Sequence, residues 1–404
     1  RTITLPDATG TLLNSDGSAA SLTAIPAANI TGTLPAIDGS SLTGITGSSD
    51  YRPSGKPIII NGDMSVSQRG TANADESSSG IYRVDRMNVG LSSIGEFRMS
   101  QESISSGAAF NAGFKKAFRI DCAIADASPA SGDIGNVTYK LEGNTVQAFK
   151  KGTSNAETAT LAFWVKSNKT GTAQVSLIDG DNSRQVGATY TISSADTWEH
   201  KVLNYPADTT GALDNDNNKS LEIEFALDAG SDFTSGAVPS AWEAAANTDR
   251  SVNDLALQDN TANDWAITGL QLEVGTYTSA TLPPFQFESY GDNLARCQRY
   301  FCKSGSPTVA YASDLNQFYS IMSMHGTSNG YMPRVLFPVT MRGNPTTVTG
   351  AISSYNGSAW QTWTGSNSTS KFPDGFTLGA AGTLSVTVGE SRLSQTDWTA
   401  DAEL

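Results

Sequence analysis

The feature that most narrows what this chain can fold into is an apolar side chain at every second position, in runs of strand length. Leu221, Ile223, Phe225 and Leu227 alternate with Glu222, Glu224, Ala226 and Asp228. Leu161, Phe163 and Val165 alternate with Ala162, Trp164 and Lys166, and the pattern returns at Ala173, Val175 and Leu177 and at Leu270, Leu272 and Val274. Successive side chains of a strand point to opposite faces, so this period puts one face of each strand into a core. Turn chemistry separates the runs, at Asn168-Lys169-Thr170-Gly171, Asp179-Gly180-Asp181-Asn182 and Asp214 to Asn218. Short strands in regular succession predict an all-β sandwich or jelly roll over 56–288.

Surface composition agrees. Only 16% of residues are charged. Helices usually clothe exposed faces in Lys, Glu and Arg, whereas a Thr, Ser and Gly surface suits strands and tight turns. The formal charge of −14 excludes nucleic-acid binding through phosphates, which needs clustered Lys and Arg. The longest apolar stretches, Ile58-Ile59-Ile60 and Leu161 to Val165, are strand-sized, so no membrane insertion is expected. A chain that opens on Arg1 points to an upstream segment, and no secretory leader is visible. Cys122, Cys297 and Cys302 are too few and odd in number for a disulfide framework; buried free thiols made in a reducing cytoplasm are expected.

Two regions flank the sandwich. Residues 1–55 read in short clauses such as Ile30-Thr31-Gly32-Thr33-Leu34-Pro35 and Leu42-Thr43-Gly44-Ile45-Thr46-Gly47. Isolated aliphatics of this kind cannot bury enough surface within one copy to offset the entropy of ordering. The segment is therefore either a flexible linker or an extended stalk intertwined with other copies around a threefold axis; the recurrence favours the stalk. After the sandwich, 289–404 begins with a short helix capped by Ser289, with Asp292 in its first turn and Leu294, Cys297, Tyr300 and Phe301 on one face. It should end near Lys303-Ser304-Gly305. A smaller C-terminal β domain follows, with a strand over Tyr331 to Thr340 carrying Val335, Phe337 and Val339 on one face, and another at Leu384, Val386 and Val388.

Certain phrases, in order, resemble tail fibres and receptor-binding proteins of tailed bacteriophages, particularly of short-tailed marine phages. They are Ile60-Asn61-Gly62-Asp63-Met64-Ser65-Val66-Ser67-Gln68-Arg69-Gly70 with Tyr82-Arg83-Val84-Asp85-Arg86-Met87, and Thr160-Leu161-Ala162-Phe163-Trp164-Val165-Lys166-Ser167 with Asp196-Thr197-Trp198-Glu199. Further on come Trp265-Ala266-Ile267-Thr268-Gly269-Leu270-Gln271-Leu272-Glu273-Val274-Gly275, Arg296-Cys297-Gln298-Arg299-Tyr300-Phe301, Phe337-Pro338-Val339-Thr340-Met341-Arg342 and the closing Ala400-Asp401-Ala402-Glu403-Leu404. The resemblance implies a homotrimer, a carbohydrate-binding-module-like sandwich and a place on the virion tail, after synthesis in the host cytoplasm. Its partners would be other virion tail proteins on the N-terminal side and a glycan or protein of the host surface. It supplies no sugar-binding residue, since its phrases read as core and turn features: Phe163 and Val165 inward, Trp164 outward, Gly269 at a bulge, Arg69 and Arg86 pinning turns or paired with acids.

No enzyme is expected. His200 and His325 are the only histidines; His200 reads as a packed strand residue and His325 as a turn residue, and neither has a catalytic signature around it. Paired carboxylates could cleave a polysaccharide, but the stacked repeats of a β-helical depolymerase are missing. No cofactor is expected. A structural Ca²⁺ at Asp179-Gly180-Asp181-Asn182-Ser183 or Asp214-Asn215-Asp216-Asn217-Asn218 is open, although the EF-hand pattern fails at Arg184 and Lys219, and at Tyr190 and Phe225. Stacking on a sugar needs exposed aromatics among polar groups, which Tyr355, Trp360 and Trp363 offer, with Trp242 as a lesser candidate. Packing in a core or subunit interface competes with ligand contact at each. The reading is a virion tail fibre that adheres to the host surface through a glycan. Its rivals are a fibre adaptor or decoration protein without receptor binding, and a polysaccharide-cleaving spike.

Overall fold

A computed structural model describes residues 56–71, 74–304, 318–324, 329–331, 334–349, 352–355, 360–362, 367–381, 391–396 and 398–404. The 1–55 segment read as linker or stalk lies outside these residues, as do Leu384, Val386 and Val388.

The elements up to the end of the sandwich are β1 (Ala74–Glu76), β2 (Ile81–Tyr82), β3 (Asn88–Ser92), β4 (Glu96–Ser103), α1 (Gly107–Asn111), β5 (Lys116–Ile124), β6 (Ile134–Glu142), β7 (Ala159–Ser167) and β8 (Gly171–Asp179). They continue with β9 (Arg184–Ile192), β10 (Glu199–Tyr205), β11 (Lys219–Ala229), α2 (Ser231–Thr234), β12 (Glu243–Ala244) and β13 (Asp264–Val274). Two antiparallel sheets result. The first runs β1-β4-β5-β13-β7-β10 and the second β12-β9-β8-β11-β6-β3-β2. The chain crosses repeatedly from one sheet to the other, so neither sheet can form without its partner.

The alternation decides what lies between the sheets. Leu161, Phe163 and Val165 of β7 and Trp265, Ile267 and Leu272 of β13 meet Val175 and Leu177 of β8 and Ile223, Phe225 and Leu227 of β11 in one core. The Phe163 ring sits 5.2 Å from Tyr190 and 5.2 Å from Phe225, both nearly perpendicular, an edge-to-face geometry that adds to the gain from burial. The Trp265 indole N–H donates to the Tyr190 hydroxyl at 3.1 Å, so neither polar handle is left bare. Gly269 makes the expected bulge. Its φ is +63°, and the register against β7 shifts between Thr268 and Gln271.

One face that alternates like a solvent face is buried. Glu224, on the outer side of β11, is covered by the 230–253 segment, whose Arg250 donates Nε–H to Glu224 Oε1 at 3.0 Å. Asn136 donates to the other carboxylate oxygen at 2.9 Å, and Gln174 donates to the Asp249 carbonyl at 2.6 Å.

Helix α3 (Tyr290–Gln298) starts as read, with Ser289 Oγ accepting from the Asp292 amide at 3.2 Å. It ends earlier than the sequence predicts. Tyr300 and Phe301 are buried, but β14 (Phe301–Lys303) has left the helix to pair with Thr399–Asp401. The strand predicted over Tyr331 to Thr340 is also shorter. Only Asn329–Tyr331 and Val335–Leu336 are strand on either side of the break, and Phe337 is buried without a ladder, its amide donating to the Asp374 carbonyl at 3.1 Å. Elsewhere in this region Phe318–Met324 pairs with Ser391–Thr396. Among the described residues no helix is long and apolar enough to cross a membrane.

The phrases at the two ends of the described chain meet here. Asn293 of α3 accepts from the Asn61 amide at 3.0 Å and donates to Asp63 and Ser65. Arg69 lies 3.1 Å from Asp401 and 3.3 Å from Glu403, and stacks 3.7 Å above the Phe301 ring. Arg86 pairs with Glu403, donates to the Lys140 carbonyl at 2.5 Å and lies 3.5 Å over Tyr300. The closing residues are thus clamped to the sandwich by one buried and one half-buried cation.

Candidate functional site

The sheet faces turned away from the core are where a ligand can be met. On the first sheet, Trp164 of β7 stands outward between Thr268 of β13 and His200 of β10, which are its cross-strand neighbours. Its ring centroid is 4.9 Å from that of His200 at 30°, and burial pushes the imidazole below its ordinary pKa, so it is neutral at pH 7. Beside them the β4–β5 connection folds over the sheet through α1. Ile104, Ala109, Phe114, Trp198 and Ala266 form a small second core there, with Phe110, Trp164 and Phe285 packed against it.

A cleft of about 340 Å³ opens between this connection and the loop before β10. One wall is Glu102, Ser103, Ile104, Ser105, Ser106 and Gly107; the other is Asp196, Thr197 and Trp198, with Lys166 rising from β7. Ser103, Ser105, Ser106, Asp196 and Thr197 are exposed. Both walls are held from behind. Glu199 Oε1 accepts the Ser193 and Ser194 amides at 2.8 Å each, and the Asp196 amide donates to the Ser167 carbonyl at 2.8 Å. Asp196 carries φ +56°, a left-handed conformation that Asp tolerates better than most residues. On the opposite wall Gly107, at φ +89°, comes so near the indole that a Cβ there would sit 3.4 Å from Trp198 Cδ1.

The charges are fixed as well. Lys166 Nζ is 3.1 Å from Glu102 and 5.3 Å from the Trp198 ring centroid. Arg119 joins Glu102 at 2.9 Å, Asp121 at 2.7 Å and Asp264 at 3.1 Å. Burial alone would raise the Glu102 pKa, but the hydrogen bonds from Arg119 and Lys166 outweigh it and leave the carboxyl below its ordinary value. Chemically, the cleft offers an indole, several hydroxyls and immobilised charge. It can hold a polyhydroxylated ligand; its ionised Glu102 is a poor proton donor.

Tyr355 and Trp360 lie on strands Ile352–Tyr355 and Trp360–Thr362, but their side chains are outside the described residues, and so are Trp363 and His325. Trp242 is half-buried against the main core; its indole N–H donates to the Pro206 carbonyl at 2.9 Å and its ring sits 4.6 Å from the Lys151 ammonium. The Asp179 loop is an Asx turn, with Asp179 Oδ1 accepting from the Asp181 and Asn182 amides at 3.0 Å while its other oxygen meets Lys151 at 2.5 Å. Asp216 likewise accepts from the Asn218 amide at 2.8 Å. The cleft itself was missed. Its available signal was Trp164 pointing outward and Trp198 following a run of small polar residues.

The class these features define is a two-sheet β-sandwich with a polar, tryptophan-walled cleft on one outer face. No family model matches the sequence, and no curated protein matches it. Among solved structures the chain is similar to the enzymatically active domain of tailspike protein 4 of bacteriophage CBA120, with 13% identity over 54% of this chain and a TM-score of 0.27. The match spans 21% of that tailspike chain. It is also similar to a carbohydrate-binding module designated CBM4, with 11% identity over 54% of this chain and 99% of the module and a TM-score of 0.28. A third is the family 11 carbohydrate-binding module of a cellulosomal cellulase of Clostridium thermocellum, with 9% identity over 52% of this chain and 99% of the module and a TM-score of 0.25.

Proposed function

We propose that the chain is a virion tail-fibre protein that attaches to the host surface by holding a glycan in the cleft between Ser103–Gly107 and Asp196–Trp198, and that it cleaves nothing. The observation that carries this is the cleft: it is concave, with the edge of a largely buried indole in its wall and exposed hydroxyls and paired charges around it, the short hydrogen-bonding groups that hold a sugar. Against catalysis stands the Glu102 carboxyl, held ionised by two cations where a glycosidase would need an acid of raised pKa. The chain works as a homotrimer, with 1–55 as a stalk toward other tail proteins and the sandwich and C-terminal strands toward the host. Synthesis in the host cytoplasm accords with Cys122, Cys297 and Cys302, all buried free thiols. No cofactor takes part. An open cleft binds weakly per site, about −4 kcal/mol at a millimolar Kd, and three copies on each of several fibres multiply that by ~10²–10⁴.

The test is binding of the purified chain to host cells and to a glycan array, with its mass measured in solution. Trp198→Ala should abolish glycan binding. Since Trp198 is also packed in the second core, the exposed Thr197→Ala serves as the fold-neutral variant and should weaken it several-fold. Binding unchanged in both, or new reducing ends released from host polysaccharide, overturns the reading; a monomer at micromolar concentration overturns the trimer.

A further inference from the structure

The cleft has a charge preference, and its residues say which. We infer that it takes an uncharged stretch of glycan and discriminates against sugars bearing carboxylate, phosphate or sulfate. This rests on the cleft being the glycan site.

Recognition of an acidic sugar needs a cation whose donors are not already committed, usually Arg in bidentate geometry. Lys166 lines the cleft and Arg119 stands behind it against Glu102, and both are engaged. Lys166 donates to Glu102 at 3.1 Å, and Arg119 is shared among Glu102, Asp121 and Asp264. An incoming carboxylate would have to displace Glu102 from both partners while lying beside the exposed carboxylate of Asp196 on the opposite wall. Lys116 touches a cleft residue from outside. Its ammonium donates to Ser103 Oγ at 3.0 Å, and it does not line the cleft. The surrounding field has the same sign, since the chain carries −14 at neutral pH. By contrast, the exposed hydroxyls of Ser105 and Ser106 offer donors and acceptors without a preferred charge, and those of Ser103 and Thr197, engaged with Lys116 and the Ala195 carbonyl, keep a donor and an acceptor respectively.

The experiment measures the full chain against matched pairs of oligosaccharides, each neutral hexose oligomer (cello-, manno- and galacto-oligosaccharides) beside its C6-carboxylated counterpart, at low and high salt. Neutral members should bind, and their carboxylated partners about tenfold more weakly at low salt, with the gap narrowing as salt screens it. Asp196→Asn keeps the left-handed backbone and removes one charge, so it should narrow the gap between neutral and carboxylated partners several-fold. Lys116→Gln should change neither. Carboxylated sugars that bind as well as or better than neutral ones, with that affinity lost in Lys116→Gln, overturn the charge preference alone. Failure of every neutral and every carboxylated probe overturns the cleft as a glycan site and this inference with it.

Discussion

The clamp on the closing residues makes a quantitative prediction. Arg86 is 1% exposed in its side chain and Glu403 6%, so both charges sit almost out of water. Burial alone would lower the Arg86 pKa, and the Glu403 carboxylate more than reverses this; without that partner the guanidinium still stays charged, because arginine is not deprotonated in proteins. Glu403→Ala then strands one buried guanidinium and weakens the hold on a second, Arg69, which keeps Asp401 at 3.1 Å. Breaking one side of a buried pair costs roughly 3–5 kcal/mol. The partial compensation by Asp401 puts the expected loss at the lower end, about 3 kcal/mol. Arg86→Met alone should cost less, about 2 kcal/mol, because Glu403 still lies 3.3 Å from Arg69 and the Met side chain keeps apolar contact with Tyr300. The double variant Arg86→Met with Glu403→Leu removes both charges and should recover at least about 1 kcal/mol of the summed losses, the mark of a coupled pair.

Thermal unfolding read by calorimetry measures the total. Limited proteolysis reads the location, since Glu403→Ala should release the residues after Trp398 to carboxypeptidase before the sandwich melts. Additive losses in the double variant, or a single-variant loss below about 1 kcal/mol, would show that the pair is solvated and that the closing residues are held by the Phe301–Lys303 ladder instead.

Three further outcomes follow from named groups. Burial, helped by the charges of Asp254 and Asp259, pushes Asp228 up to about 7, so the native state holds a proton there that the unfolded chain releases near pH 4. The sign is that ionised Asp228 destabilises: its contribution worsens as pH rises from about 4 to 8, by up to ~4 kcal/mol, and Asp228→Asn, which can still accept from the Gln258 amide, should be more stable than the parent at pH 8 and equal at pH 4. Denaturant curves at the two pH values decide it, and a variant less stable at pH 8 refutes it. Gly269→Ala should cost at least about 2 kcal/mol, since a Cβ would lie 2.7 Å from the Phe114 ring at a φ of +63°; a Tm within a degree or two of the parent would mean the bulge can relax. Burial also pushes the Cys122 thiol up to about 11, Cys302 to about 12 and Cys297 well above its ordinary value, so a thiol reagent should label none of them at pH 8 until the chain unfolds.

The sandwich was legible because one side of each long strand is buried by the opposite sheet, which writes a period of two directly into β7, β8, β11 and β13. The cap at Ser289 was legible because its partner Asp292 is three residues away. What failed was whatever depends on a distant partner. Helix α3 was extended through Tyr300 and Phe301 because both fit a helical face, yet the strand that draws Phe301 away lies about a hundred residues on, at Thr399–Asp401. Val335 and Phe337 are buried alternately, as read, but the ladder stops at Leu336, and the Phe337 amide turns to the Asp374 carbonyl instead. Glu224 looked like a solvent residue because a carboxylate at an alternate position usually is; only the Arg250 that covers it, 26 residues later, makes it part of the interior.

The cleft marks the limit of such reading. Its walls come from the end of β4, from β7 and from the loop before β10, separated by about 60 and then 30 residues. No spacing rule joins them, since what brings them together is the order β4-β5-β13-β7-β10, in which three strands intervene between the wall at the end of β4 and the wall before β10. The aromatic-rich stretch around Trp360 drew attention because its residues are neighbours in sequence, whereas the cleft has one tryptophan, Trp198, and gathers its hydroxyls from across a sheet. A binding face on a sandwich is a property of strand order, and strand order is written in the core rather than in the face. The outward positions of β7 and β10 are therefore free to vary in chemistry without disturbing the fold, provided that Phe163 and Val165 keep facing in. That freedom is what allows one sandwich to present different ligands with different clefts, and it is why substitutions at Asp196 and Thr197 should alter recognition while leaving the melting temperature within a few degrees of the parent.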